Sequence, residues 1–171
     1  MNNQIFIQIA SYRDPELLPT IRDCIANAEF PENLKFCIGW QRAENDTLEE
    51  FAEDPRFIIL SVPYQETKGC CWMRNKIQEC YNGEKYTLQL DSHHRFAKNW
   101  DTTLINMFTY LQKKGHKKPL ITGYVPSYNP ENDPQERVLT PWKINFDRIT
   151  EDGQTLFIPA YIDNHKDLTE P

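Results

Sequence analysis

Four apolar segments, each followed by a polar loop, constrain the fold of this chain more than any other feature. They are Gln4–Ala10, Leu34–Trp40, Phe57–Val62 and Tyr86–Leu90. Apolar residues with helical spacing occur between them, beginning near Pro15, around Leu48 and Phe51, and in residues 69–81. The resulting order βαβαβαβ is typical of a parallel sheet with helices on both faces, and we therefore expect an α/β fold.

The rest of the chain predicts one more helix, a fifth strand and a β-hairpin. The helix is expected over Trp100–Lys114, and the fifth strand over Pro119–Tyr124. Prolines then break the chain until two short strands around 138–146 and 155–162, which are joined by a turn at Asp152-Gly153. We expect residues 1–124 to form the core and residues 125–171 to form a loop and hairpin extension of the same domain.

The composition excludes several classes of protein. A length of 171 residues with 39% hydrophobic residues fits one globular domain. No apolar run reaches transmembrane length, and the N-terminus lacks the pattern of a signal peptide, so we expect no membrane span and a cytoplasmic location. A net charge of -6 argues against nucleic acid as a partner. The five cysteines are expected to be free, buried thiols.

A cluster of polar residues follows the fourth predicted strand. Asp91, Ser92, His93, His94 and Arg95 come directly after an apolar segment and are too polar for a core. Ligands in open α/β sheets bind outside the carboxyl ends of the strands. In extended backbone, Asp91 and His93 lie on one side and Ser92 on the other, so the pair is placed to bind a metal ion or a phosphate.

Two sequence motifs resemble the donor-binding half of GT-A glycosyltransferases. The first is Lys-Gly-Cys-Cys-Trp-Met-Arg-Asn at residues 68–75, and the second runs from Asn-Gly-Glu at 82–84 to Asp-Ser-His at 91–93. The whole chain, from Ile-Ala-Ser-Tyr-Arg-Asp through Asp-Ser-His-His-Arg-Phe to Thr-Gly-Tyr, is similar to glycosyltransferase family 60, the Skp1-type polypeptide N-acetylglucosaminyltransferases.

This resemblance implies a fold and a reaction. The fold would be the GT-A three-layer α/β/α sandwich, a Rossmann-like architecture with a mostly parallel central sheet. The donor would be a UDP-sugar, UDP-N-acetylglucosamine, and the sugar would pass with retention to a hydroxyl group of a protein or glycan acceptor. The family continues through a longer acceptor-binding half that has no counterpart in this sequence, so we expect this chain alone to bind donor but to transfer sugar poorly.

The resemblance also implies site residues. Asp91 and His93 are the expected ligands of Mn²⁺ or Mg²⁺, which would neutralise the diphosphate leaving group. The expected donor-binding residues are Ala10, Ser11, Tyr12, Arg13, Gln41, Lys68, Gly69, Arg74, Asn75, Asp91 and Ser92. Arg74 would direct its planar guanidinium at the nucleotide or at Asp91, or else pair with Glu79 or Glu84. Tyr12 would stack on the base, or Asp14 would cap the turn.

Two other functions stay open on the sequence alone. A metal-dependent phosphohydrolase would use Asp91, His93 and His94, although such enzymes need further ligands and the sequence offers only the scattered Asp163 and His165. A non-catalytic nucleotide-sugar-binding module would bind the donor without transferring it. His94 itself is expected to be either a contact of the site or an exposed loop residue.

Overall fold

The computed structural model of the chain divides into two compact units, Met1–Thr102 and Thr103–Pro171. It describes residues 3–123, 125–138, 140 and 142–162. Within these residues, no helix has the length and apolar character needed to cross a membrane.

The first unit is built on a sheet of four parallel strands in the order β3-β2-β1-β4. The strands are β1 (Ile5–Tyr12), β2 (Leu34–Arg42), β3 (Phe57–Pro63) and β4 (Tyr86–Leu90). All four predicted strands are confirmed. Because the strands are parallel, their carboxyl ends meet at one edge of the sheet, which we call the carboxyl edge.

Two α-helices and several short turns connect the four strands, and a third helix follows β4. The helices are α1 (Leu17–Asn27), α2 (Cys70–Gln78) and α3 (Trp100–Lys113). The helix expected around Leu48 and Phe51 is only a 3-10 turn, Glu49–Phe51. It is short because the Asp54 side chain accepts the Arg56 amide at 2.9 Å and the Phe57 amide donates to the Asp54 carbonyl at 3.0 Å, which turns the chain into β3.

The two central strands of the sheet, β1 and β2, are buried on both faces, whereas the edge strands β3 and β4 are partly exposed. One face carries Ile7, Ile9 and Ile38, which are completely buried. On the other face Phe6 and Cys37 form one core cluster with Met73 and Ile77 of α2. This burial explains why the apolar segments of the sequence are reliable indicators of these strands.

Helix α2 packs on β2 at Gly39 with no room for a larger residue. A Cβ atom at Gly39 would lie 2.3 Å from Met73 Cγ and 2.9 Å from Ile77 Cδ1. The absence of a side chain at this position therefore sets the distance between α2 and the sheet. Arg74, which follows Met73, is placed by the same contact.

The predicted fifth strand is wrong for the residues that can be compared. Residues 119–123 form no strand, and Tyr124 lies outside the described residues. Leu120 is 88% exposed, so the apolar run is not stabilised by burial. Pro119 also lacks the amide that a central strand would donate.

The predicted hairpin in the second unit is confirmed. Strands β5 (Trp142–Ile149) and β6 (Thr155–Tyr161) are antiparallel. Gly153 takes a left-handed backbone, with φ of 84°, in the turn that joins them. The first strand begins later than expected, because the Val138 amide donates to the Ser127 carbonyl at 3.0 Å within the preceding loop.

The expectation of buried thiols is only half right. All five cysteines are free, and Cys24 and Cys37 are buried. Burial raises the pKa of both thiols. Cys70 and Cys71 are exposed in the first turn of α2, and Cys80 is half-buried.

The contact at Gly39 predicts a specific loss of stability. Gly39→Ala should reduce the free energy of unfolding by about 1 to 3 kcal/mol, since the new methyl group overlaps Met73 and Ile77. Urea unfolding would measure the loss. In a Met73→Ala background the same substitution should cost much less, and Gly123→Ala, where a Cβ meets nothing within 4 Å, should change little. An equal cost in both backgrounds would contradict the packing argument.

Candidate functional site

The carboxyl edge brings the loop after β1 next to the segment after β4. Strands β1 and β4 are neighbours, and Ile9 pairs with Leu90 near the ends of both. The Ser92 hydroxyl donates to Asp14 Oδ2 at 2.5 Å, and His93 Nδ1 lies 2.9 Å from the same oxygen. Asp14 therefore joins the two loops.

Asp14 is the acceptor of three hydrogen bonds. Besides Ser92 and His93, the Glu16 amide donates to its Oδ1 at 2.9 Å. Burial raises the pKa of Asp14, but the hydrogen bonds from Ser92, His93 and the Glu16 amide outweigh it, so the pKa lies below its usual value. The turn through Asp14 that the sequence allowed is thus present, and the same side chain also reaches the residues after β4.

Thr20 of α1 fixes the backbone of the segment after β4. Its side chain is fully buried, and its hydroxyl lies 2.9 Å from the Ser92 carbonyl and 3.2 Å from the His94 carbonyl. The same oxygen accepts the His94 amide at 2.9 Å. One hydroxyl group therefore satisfies backbone groups on both sides of His93.

Two further contacts tie the following residues to α1 and the turn before it. Arg95 donates to Glu16 Oε2 at 2.5 Å, and the Phe96 amide donates to Asp23 Oδ2 at 2.6 Å. The polar segment that the sequence analysis singled out is consequently a fixed loop that leaves the side chains of Asp91 and His93 exposed.

Arg74 of α2 pairs with Asp91. Its Nη2 donates to Asp91 Oδ1 at 2.8 Å, and the two side chains are 31% and 56% exposed. Of the two outcomes that the sequence left open, the pair with Asp91 is the one observed, whereas Glu79 accepts from Asn75 at 3.0 Å. Arg74 Nε is buried and has no hydrogen-bond partner among the described residues. Because a partly exposed ion pair contributes only about 0 to 1 kcal/mol, this pair adds little to stability.

Aromatic and cationic side chains cluster at the ends of β1 and β3. Tyr12 is 55% exposed, and its ring meets the ring of Tyr64 edge to face with centroids 6.3 Å apart. The Arg13 guanidinium lies 4.5 Å from the centroid of Tyr64. Arg13 holds a left-handed backbone with φ of 48°, an unfavourable conformation that is often found at functional sites.

Tyr12, Arg13 and Tyr64 form a corner of the carboxyl edge, and Gln41 is buried beneath this corner instead of lying on its surface. It is 2% exposed, and its side-chain amide donates to the Ser11 carbonyl at 3.1 Å. Its backbone carbonyl accepts the Arg13 amide at 2.9 Å. Ser11 is also buried, whereas Ala10 is half-buried. Gln41 therefore supports Arg13 and Ser11 from below.

Lys68 and Gly69 precede the first turn of α2. Both are exposed, and Gly69 has φ of 92° with open space where a Cβ would lie. Its carbonyl accepts the Met73 amide at 3.2 Å and so begins the helix. The free amides and the dipole of a helix start favour an anion. Asn75, one turn later, is exposed and bonded to Glu79.

His94 has a different environment from His93. Its Nδ1 lies 3.0 Å from the Asp91 carbonyl and must donate, since a carbonyl only accepts. Burial lowers the pKa of His94 and so favours the neutral form of the ring. The two imidazole rings lie nearly parallel with centroids 6.2 Å apart.

The donor set at the carboxyl edge fits a metal ion that takes only part of its ligands from protein. Within residues 3–123, 125–138, 140 and 142–162, no group of three or more His, Cys, Asp or Glu side chains is arranged to hold a metal ion. Asp91 and His93 offer one exposed carboxylate and one exposed imidazole. Mg²⁺ and related ions are often held by one or two protein groups together with substrate phosphates and water.

A parallel α/β sheet with polar side chains gathered at its carboxyl edge is compatible with the Rossmann-like class of nucleotide-binding folds. The sequence matches a protein-family model described as Glycosyltransferase (GlcNAc), over residues 4–56 and 47–171. These two overlapping matches cover almost the entire chain, so the chain belongs to this glycosyltransferase family. No curated protein matches the sequence.

Sequence reasoning missed three residues that organise the site. The sequence indicates Asp14 only as a cap, and it does not single out Thr20 or Tyr64. Asp14 and Thr20 contact residues more than seventy positions away, which no local pattern reveals. Tyr64 follows the end of β3 directly, and its position at the carboxyl edge was the available signal.

The role of Thr20 predicts a local and a global effect. Thr20→Val keeps the shape but removes the hydroxyl, so the His94 amide loses its partner and the free energy of unfolding should fall by about 1 to 3 kcal/mol. Thr20→Ser should restore most of the loss. Urea unfolding and hydrogen exchange of the His94 amide would measure both effects. Thr102→Val, at an exposed hydroxyl, should change stability by less than about 0.5 kcal/mol.

Proposed function

We propose that this chain binds UDP-N-acetylglucosamine together with a divalent cation and transfers the sugar to a hydroxyl group of a protein or glycan. Family membership supplies glycosyl transfer as the reaction class. The proposed donor and cation are supported by one observation. Asp91 and His93 are exposed at the carboxyl edge, and each is held by one partner from another part of the chain. The GT-A fold and the relation to family 60 are part of this proposal.

Asp91 and His93 are the proposed ligands of Mn²⁺ or Mg²⁺. A carboxylate and an imidazole suit Mn²⁺, while Mg²⁺ is supported by the small number of protein ligands. When bound, the cation supplies charge neutralisation of the diphosphate leaving group. Arg74 orients the Asp91 carboxylate and brings a second positive charge to the same place.

The corner of Tyr12, Arg13 and Tyr64 is the proposed position of the base and ribose. Tyr12 offers an exposed ring face for stacking, and Arg13 is held beside it by the Gln41 carbonyl and the Tyr64 ring. Ala10 and Ser11 line the end of β1 below this corner. This arrangement leaves the diphosphate on the side of Asp91.

Helix α2 is the proposed contact of the diphosphate and sugar. Lys68 and the free amides after Gly69 attract the negative charge, and Asn75 offers an exposed amide to a sugar hydroxyl. Ser92 is buried against Asp14, so its contribution comes through the loop and not through its hydroxyl. The acceptor and a cytoplasmic location stay predictions from the sequence.

Incubation of the chain with UDP-N-acetylglucosamine and Mn²⁺ tests the reaction class. Thermal stabilisation together with UDP release would support a glycosyltransferase, with water or an added hydroxyl compound as acceptor. Stabilisation without any release would favour a binding module, and release of inorganic phosphate would favour a phosphohydrolase. We expect stabilisation with slow UDP release. Positioning of the acceptor can lower the activation barrier of the transfer by roughly 7 to 11 kcal/mol, and this contribution is lost when the acceptor is not held in place.

Nucleotide binding should depend on the metal ion through Asp91. Mn²⁺ should tighten UDP binding more than tenfold, a difference of over about 1.4 kcal/mol, and Asp91→Asn should remove most of that gain. Calorimetric titration with Mn²⁺ and with chelator measures it. Asp54→Asn is a matched control, since Asp54 also pairs with an arginine but lies before the amino end of β3. Equal affinity in the presence and absence of Mn²⁺ would refute the metal site.

The planar guanidinium of Arg74 should matter more than its charge. Arg74→Lys should weaken UDP-N-acetylglucosamine binding about tenfold, because one hydrogen bond between charged groups is lost, while the unfolding temperature stays nearly constant. Arg22→Lys, at an exposed pair with Glu50, should bind like wild type. Wild-type affinity in Arg74→Lys would show that Arg74 is only a surface ion pair.

A further inference from the structure

The Asp14 carboxylate accepts three hydrogen bonds, one of which comes from the His93 ring. Its Oδ1 accepts the Glu16 amide at 2.9 Å. Its Oδ2 accepts the Ser92 hydroxyl at 2.5 Å and lies 2.9 Å from His93 Nδ1. Among the residues the structure describes, Asp14 is the hydrogen-bond partner of the His93 ring.

This contact decides which ring nitrogen of His93 carries the proton. A carboxylate can only accept, so the hydrogen between the two groups belongs to Nδ1 of His93. In the neutral ring, Nε2 then keeps its lone pair and points away from Asp14. Metal ions bind histidine through such a lone pair, and the opposite ring nitrogen usually donates to a carboxylate or a carbonyl.

We propose that Asp14 is a positioning residue that fixes His93 in the tautomer and orientation able to bind a divalent cation through Nε2. The proposal rests on the proposed function, in which His93 is a metal ligand, and adds a residue from a different part of the chain to that site. Asp14 acts through His93 and does not itself contact the cation or the donor.

Asp14 is suited to this role because it is fixed before any ligand binds. It is partly buried, with a side chain that is 19% exposed, and the Leu17 amide donates to its carbonyl at 3.3 Å where α1 begins. Thr20 of the same helix holds the backbone on both sides of His93. The His93 side chain itself is 60% exposed, so without Asp14 little would restrict its rotation.

Asp14→Asn should invert the tautomer without changing the shape of the site. The Glu16 amide must donate to an oxygen, so the asparagine oxygen takes the place of Oδ1 and its NH₂ group takes the place of Oδ2. That NH₂ group donates to Nδ1 of His93 and moves the ring proton to Nε2. The Ser92 hydroxyl can rotate to accept instead of donate. The same replacement in a serine protease triad leaves the geometry intact and produces the wrong tautomer.

Nitrogen NMR of the imidazole rings in the absence of metal reads the tautomer directly. The chain has four histidines, and loss of one set of signals in His93→Gln assigns His93. Wild type should show a protonated Nδ1 and a free Nε2 for His93, and Asp14→Asn should show the reverse. The opposite result, or identical spectra in the two proteins, would overturn the proposal.

Metal titration then connects the tautomer to binding. In the presence of UDP, Asp14→Asn should weaken Mn²⁺ binding about ten- to a hundredfold, the usual effect of removing an outer partner of a metal-binding histidine. Asp14→Ser should weaken it as well, since a serine still accepts the Glu16 amide but is too short to reach His93. An inverted tautomer with wild-type Mn²⁺ affinity would overturn the proposal.

Two controls separate this role from a general structural effect. Asp54→Asn changes an aspartate that likewise accepts the amide two residues later, and it should leave the His93 signals and the Mn²⁺ affinity unchanged. Ser92→Ala removes the other donor to Asp14 Oδ2 and should preserve the His93 tautomer. A changed tautomer in either variant would overturn the assignment to Asp14.

Failure of the proposed function gives a different pattern from failure of this inference. If wild type binds no Mn²⁺ with UDP, the metal site itself is refuted, and the positioning role of Asp14 falls with it. If wild type binds Mn²⁺ and Asp14→Asn binds it equally well, the metal site stands and only Asp14 is excluded.

Discussion

The buried hydroxyl of Thr20 is the interaction on which the candidate site depends. It lies in α1, yet its hydrogen bonds go to Ser92 and His94, on both sides of His93. A loop of five polar residues would otherwise have backbone groups with no partner inside the protein, which is costly where water is excluded. Because Thr20 satisfies these groups, the loop can be rigid at its backbone while the side chains of Asp91 and His93 face solvent. The backbone on both sides of His93 is therefore fixed by a helix about seventy residues earlier in the chain.

The position of α2 beside the site is set by apolar packing and not by hydrogen bonds. Helix α2 lies close to β2 only because Gly39 has no side chain to meet Met73. The next residue, Arg74, consequently reaches Asp91 across the carboxyl edge. Helices α1 and α2 thus both contact the segment after β4. Helix α1 does so through the buried hydroxyl of Thr20, and α2, which is packed close to the sheet, does so through Arg74. A site built in this way is positioned by the rigid parts of the fold.

The sequence predicted well those features whose cause is local. The two central strands are predictable because segments such as Ile5–Tyr12 are buried on both faces and read as apolar runs. The Asp152-Gly153 turn is predictable because its backbone requires glycine. The same logic failed at Leu120, where an apolar run is exposed and forms no strand. Thr20 could not be identified in advance, since its role comes from distant contacts. The match of residues 4–56 and 47–171 to a glycosyltransferase family agrees with the reaction class that the motifs implied, while the metal ion and the donor stay proposals.

Global stability and the orientation of the exposed side chains depend on different residues in this candidate site. Thr20 and Gly39 are buried, so their contacts contribute to the free energy of unfolding. The pairs of Arg74 with Asp91 and of His93 with Asp14 are partly exposed, and such pairs contribute little to stability in water. These pairs act on orientation instead. Each pair restricts one side of the Asp91 or His93 side chain and leaves its opposite side exposed to solvent. At the proposed metal site, a divalent cation would therefore bind side chains that are already oriented, so that less conformational entropy would be lost on binding.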